Sequence, residues 1–147
     1  MITEEQNNDA QSLERLVGDK LQANEHLRTT GNLLNYEVEP GGVVKLDGPV
    51  PTRLIADEVI ALVQNIPGVR KVDDAILPDP DLELNVAKAI AEDARTQSIK
   101  PGQVFLRSHN GALVLYGRLS EASVKDDLMR VAGSVKGVRT VIDKIVV

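Results

Sequence analysis

The sequence predicts an α+β protein built from two tandem αββαβ modules, each a small mixed sheet covered by two helices. Three observations predict it. The chain repeats itself at a fixed spacing, each repeat alternates helical and strand periodicity in the same order, and the turn residues fall in step.

The repeat has an offset of 69 residues, set by Gly48 against Gly117, and it lays Ser12–Pro78 onto Asp81–Val147 without a gap. Leu13 then meets Leu82, Val17 meets Val86, Tyr36 meets Phe105, Gly42 meets Gly111 and Leu46 meets Leu115. Gly68-Val69-Arg70 falls on Gly137-Val138-Arg139, with Asp74 on Asp143 and Ile76 on Ile145. Domain boundaries follow: a disordered N-terminal tail over 1–11, a first module over 12–78 and a second over 79–147. The join, Pro78-Asp79-Pro80-Asp81, is short and stiff, because proline fixes its own backbone angle.

Within each module, Leu13, Val17 and Leu21, or Leu82, Val86 and Ile90, recur four apart on one face of an opening helix. Ser12 and Asp81 are the expected N-caps, since their side-chain oxygens can accept from first-turn amides. A strand at Leu34–Val38, or Val104–Ser108, leads into Pro40-Gly41-Gly42 or His109-Asn110-Gly111. Asn-Gly is a hairpin signal because both residues tolerate positive φ. The next strand alternates Val44 and Leu46, or Leu113 and Leu115, and is expected to end at Gly48 or Gly117. A second helix carries the stripe Ile55, Val59, Leu62, Ile66, matched by Val124, Leu128, Val131, Val135. Gly68 and Gly137 are its expected C-caps, and a last strand runs through Val72 and Ile76, or Val141 and Ile145.

The outward positions of the middle strand differ between copies. They are Val43, Lys45 and Asp47 in the first, and Ala112, Val114 and Tyr116 in the second. The back of the second sheet is therefore expected to be covered by the other copy or, in the second instance, by a partner. Monomer or small homo-oligomer is the expected state.

Composition narrows the function. Hydrophobic residues make up 42% of the 147, charged residues 27%, and aromatic residues only 2%, with Phe105 the single Phe. Aliphatic side chains must build the core, and there are few rings for stacking on bases or sugars. With 17 basic and 22 acidic residues the formal charge is -5, which argues against a nucleic-acid partner. Cysteine is absent, so no disulfide, thiol nucleophile or thiolate metal site can form. The opening residues lack the basic and apolar stretches of a secretory signal, and no run of apolar residues is long enough to cross a bilayer. With Met1 as the natural start, a cytoplasmic location is expected, with a periplasmic or peripheral-membrane one as the alternative.

The segments GGVVKLDGPV and NGALVLYGRL, each between amphipathic helices and followed by PGVRKVDDAI or KGVRTVIDKI, resemble the BON domain family, named for bacterial OsmY and nodulation proteins. Both copies fit, from Ser12 to the C-terminus. The resemblance implies bacterial origin, an αββαβ sandwich and a non-catalytic role in stress tolerance or envelope association. It also implies phospholipid contact, or potassium binding as in some cytoplasmic relatives. Ring-building modules of secretion systems share a similar αββαβ logic. The chain departs from the common tandem form in having no export signal or lipoprotein cysteine, which favours a cytoplasmic role over an envelope one.

Few residues invite chemistry. Asp74 and Asp143 fall in the alternation phase of apolar neighbours, where a carboxylate needs donors. Bonding to nearby backbone amides is the first expectation, and a cation, ligand or partner site the second. Asp57 and Asp126 lie on the solvent side of their helices. Asp73-Asp74 is no catalytic pair, since neighbours on a strand point to opposite faces. Asp79, Asp81 and Glu83 lack the spacing of a calcium loop. His26 and His109 have no triad partners, and no dinucleotide, P-loop or zinc-protease motif occurs. No metal, no cofactor and no enzymatic activity are expected. Lys125, Met129 and Arg130 on the second helix of copy two, with Val114 and Tyr116 on the sheet, are the candidate surface for a phospholipid or protein partner. Gly48, Gly68, Gly117 and Gly137 are read as structural turns.

Overall fold

The computed structural model describes residues 4–25, 27 and 33–147. The chain divides into two compact units, Met1–Pro78 and Asp79–Val147. The first contains α1 (Glu4–Ala23), β1 (Asn35–Glu39), β2 (Val43–Val50), α2 (Arg53–Gln64) and β3 (Lys71–Pro78). The second contains α3 (Asp79–Glu92), β4 (Val104–His109), β5 (Ala112–Arg118), α4 (Ala122–Gly133) and β6 (Thr140–Val146). Each unit is the αββαβ module expected, with strand orders β1-β2-β3 and β4-β5-β6. The hairpin strands pair antiparallel, and the strand that returns after the second helix pairs parallel with the central one, so both sheets are mixed.

One face of each sheet carries the core. Val44 and Leu46 on β2, and Leu113 and Leu115 on β5, are almost fully buried beneath the helices. The opening helices contribute Val17 and Leu21, or Leu82 and Val86. Of the predicted stripe on the second helices, Val59 in α2 and Leu128 and Val131 in α4 are buried, as is Ile66 just beyond α2, and Ala56, Val63 and Ala132 join them. Ile55, Leu62, Val124 and Val135 flank them half-buried, because a helix face that packs on a sheet is wider than one row of residues. Thr52 caps α2, its hydroxyl accepting from the Ile55 amide at 3.2 Å.

Several boundaries differ from expectation. α1 begins at Glu4, so residues 4–11 are helical where a tail was expected, and Ser12 lies inside the helix. Ala10 extends the buried stripe of Leu13, Val17 and Leu21 by one turn, which favours the longer helix. α3 begins at Asp79, where β3 ends at Pro78, so Asp81 sits in the first turn and no separate linker exists. Pro80 suits that turn because its missing N–H has no helical partner there. The C-caps are Asn65 and Ser134, both in helical geometry, and Gly68 and Gly137 follow three residues later with φ 99°. Gly48 and Gly117 do not end their strands: β2 and β5 run through them. Their φ angles are 121° and 140°, and a Cβ there would collide with the carbonyl of Leu33 or of Gln103, where the chain enters the neighbouring strand. His26 lies outside the described residues.

The two hairpins also differ in register. In the first, Glu39 pairs with Val43 across the three residues Pro40-Gly41-Gly42; in the second, His109 pairs with Ala112 across Asn110-Gly111. Tyr36 therefore lies opposite Leu46, while Phe105, its partner in the gapless alignment, lies opposite Tyr116. Leu106, opposite Leu115, is the structural counterpart of Tyr36. A one-residue shift exchanges the faces of a strand. Tyr36 packs against the first core with its hydroxyl against Gly18, and Phe105 points the other way.

Candidate functional site

The faces of the sheets away from the helices are chemically unlike. In the first, rows of paired residues read Asn35–Asp47–Ala75 and Glu37–Lys45–Asp73. This surface is polar and acidic, with Lys45 Nζ 2.9 Å from Glu39 and the Asn35 amide donating to Asp47 at 3.0 Å. The Glu39 carboxylate beside it raises the Lys45 pKa, chiefly through that hydrogen bond.

The corresponding rows of the second sheet read Phe105–Tyr116–Lys144 and Arg107–Val114–Ile142. Tyr116 and Val114 fill the middle, cations stand at two diagonal corners with Phe105 and Ile142 at the other two, and there is no carboxylate in either row. The rings of Phe105 and Tyr116 stack with centroids 5.5 Å apart and planes inclined by 21°. Phe105 is 49% exposed, Tyr116 40% and Ile142 41%. Large apolar groups gathered on one open face are unusual for a water-facing sheet, where scattered single ones are the norm. Sequence reasoning left Phe105 off the candidate surface, because the gapless repeat pairs it with Tyr36, whose ring packs against the core.

The helix residues named from sequence lie elsewhere in the module. Lys125 is held by Asp143, Nζ to carboxylate 2.9 Å, and also donates to the Ile145 carbonyl at 3.4 Å. Met129 is half-buried, and Arg130 is exposed with Asp127 at 3.9 Å. Asp143 further accepts from the Ile145 amide at 2.8 Å, and Asp74 accepts from the Ile76 amide at 2.9 Å. Both carboxylates therefore bond two residues ahead along their own strands. Lys125, first through its hydrogen bond, and then the Ile145 amide lower the Asp143 pKa. Among the described residues no cluster of three acidic or histidine side chains is arranged to hold a metal.

A buried and well-connected carboxylate is one that sequence reasoning set aside. Asp79, only 5% exposed, accepts from the Ser108 hydroxyl at 2.8 Å and from the amides of Asn110 at 2.7 Å and Gly111 at 3.1 Å. Glu83, one turn later, accepts from the Ser108 amide at 2.8 Å. The start of α3 is thereby tied to the β4–β5 turn. Arg139 completes the clamp, its guanidinium donating to the Asn110 carbonyl at 3.0 Å and its amide to the Gly111 carbonyl at 2.9 Å.

The repeat places Ala10 where Asp79 stands. At that end of the first module lies an open cleft of about 440 Å³, lined by Ala10, Leu13 and Leu16 of α1, by Gly41 and Gly42, and by Pro67 and Arg70 among others. One backbone bond is common to both modules: the Arg70 amide donates to the Gly42 carbonyl at 2.8 Å, as the Arg139 amide does to the Gly111 carbonyl.

These modules define a duplicated α+β protein in which paired helices cover one side of each sheet, and one open face is aromatic and basic. The chain belongs to the BON domain family: the family's model matches residues 9–77 and again 78–147. Comparison with curated proteins gives no match. Among solved structures, the chain is similar to the C-terminal domain of CdsD, a structural protein of the type III secretion system of Chlamydia trachomatis. That match has 12% identity, covers 88% of this chain and 96% of that one, and has a TM-score of 0.40. A second CdsD structure matches at 14% identity over 90% of this chain and 91% of that one, with a TM-score of 0.42. Among the described residues no helix is long and apolar enough to cross a membrane.

Proposed function

We propose that this tandem BON protein is a non-enzymatic adaptor that contacts anionic phospholipid headgroups through the open face of its second sheet. The observation that carries the reading is the exposed Phe105–Tyr116 stack with Arg107 and Lys144 at diagonal corners of the same face. Tyr116, a ring with a polar end, suits the boundary between headgroups and acyl chains, Phe105 adds apolar surface beside it, and each basic group near an anionic surface adds attraction that salt weakens. The opposite charge balance of the first sheet leaves that module facing water. Co-sedimentation with vesicles tests the reading. Binding to anionic but not neutral vesicles, weakened by salt and lost in Phe105→Ser/Tyr116→Ser, is the expected result. Equal recovery of the wild type and the double variant, or none at low salt, would refute it.

A second reading is favoured by the same contrast of faces. The acidic open face of one copy complements the basic one of another, so the chain could self-associate head to tail. Light scattering distinguishes the two: a mass that rises with concentration and falls with salt supports assembly, and a constant monomer mass rejects it.

A further inference from the structure

The two modules solve one local problem differently, and the difference leaves a site in the first. In the second module the turn amides of Asn110 and Gly111 point at a carboxylate that the chain supplies itself, that of Asp79. Asn110 and Gly111 both have positive φ, 49° and 82°, which turns consecutive N–H groups toward one point. Such concave pairs of amides attract anions.

In the first module Gly41 and Gly42 also have positive φ, 94° and 83°. The Gly42 amide has a long bond to the Glu39 carbonyl, 3.3 Å, and among the described residues the Gly41 amide has no acceptor. The residue that would supply a carboxylate is Ala10, whose methyl leaves the cleft open. Arg70 lines the same cleft, while its counterpart Arg139 spends its guanidinium on the Asn110 carbonyl. Gly41-Gly42 offers no side chain to repel a ligand, and Leu13, Leu16 and Pro67 provide apolar walls.

We infer that this cleft binds a small organic acid, its carboxylate on the Gly41 amide and the Arg70 guanidinium and its short apolar tail along Leu13 and Leu16. The carboxylate takes the place that the Asp79 side chain holds one repeat later. Asp9 stands at the rim and works against the anion, so it limits affinity without defining the site. The inference concerns the first module alone and does not depend on what the second sheet binds.

Amide NMR of the whole chain tests it, with acetate and butyrate as probes and with chloride and butylamine as controls. The Gly41 amide should shift saturably with both acids, and neither control should reproduce the shift. Butyrate should bind more tightly, by up to roughly fourfold for each added methylene that is buried. Asn110 and Gly111 should stay unmoved, since their acceptor is already in place. Ala10→Asp should start with Gly41 at the shifted position and ignore the acids. Arg70→Ala should weaken binding at least severalfold, and Asp9→Asn should strengthen it. A Gly41 amide that is indifferent to both acids, that responds equally to chloride, or that still titrates in folded Ala10→Asp would overturn the inference.

Discussion

Tyr36 and Phe105 stand one repeat apart in the sequence, yet Tyr36 faces the helices and Phe105 faces away from them. The cause is one residue of hairpin length, three in the first turn against two in the second. An inward ring needs room, and Gly18 provides it: a Cβ there would collide with the Tyr36 hydroxyl. At the same helical position the second module has Ala87. Overpacking costs about 1–3 kcal/mol and the better helix propensity of alanine offsets about 1 kcal/mol, so Gly18→Ala should destabilise by up to about 2 kcal/mol. Tyr36→Phe removes the colliding oxygen, so the double variant should lose less than the sum of the single ones. Urea titration of all four proteins gives the coupling.

The Asp79 clamp predicts a larger effect. Asp79→Ala leaves the Ser108 hydroxyl and two turn amides without their acceptor, at about 2–4 kcal/mol. Asp79→Asn keeps one acceptor oxygen and should fall between wild type and alanine. Hydrogen exchange at Asn110 and Gly111 is the local measurement, and both amides should lose protection first. Unchanged exchange in the alanine variant would mean that the carboxylate is not what holds the turn.

These two sites show what could be read from residue order. Periodicity and glycine placement were enough for the α+β class, the element order and the inward phase of Val44, Leu46, Leu113 and Leu115, because each depends on local spacing. The slip between β1 and β4 was hidden, since an alignment without gaps hides a compensating insertion and deletion. Asp79 was hidden for another reason. Its partners are 29 to 32 residues away, and beside Pro78 and Pro80 it reads as part of a linker. The signal was available in the asymmetry of Ala10 against Asp79, together with Gly41 against Asn110. The alternation of Val72 with Ile76 and of Val141 with Ile145 puts Asp74 and Asp143 on their strands, and the backbone amides expected to bond them are those of Ile76 and Ile145, two residues ahead.

The Phe105–Tyr116 stack should contribute beyond the burial of each ring. A double-mutant cycle with Phe105→Ala and Tyr116→Ala is expected to give a coupling of about 0.5–1.5 kcal/mol. Zero coupling in thermal and urea unfolding would show that the rings are neighbours without an energetic bond.

Asp93 supplies the clearest pH prediction. Arg95 grips it through paired guanidinium bonds of 3.0 Å each, with its backbone amide at 2.9 Å, and these hold the Asp93 pKa at about 2. The folded value lies below the unfolded one. The contribution to stability is thus complete above the ordinary carboxylate range and is lost as pH falls through about 2. Carboxyl carbon NMR should show a midpoint near that value, and Arg95→Ala should raise it toward the ordinary range, with the residue-95 amide still holding it partly down. A normal midpoint in the wild type would contradict the pairing.

Unequal turn lengths also make the halves non-interchangeable as genetic parts. A crossover that joined α1 and β1 of the first copy to the two-residue turn of the second would force Tyr36 outward and Glu37 inward, burying a carboxylate beneath a helix. Exchange between the duplicated segments is thereby penalised at the level of protein folding. The acidic and the aromatic faces can diverge in one gene without recombination erasing the distinction.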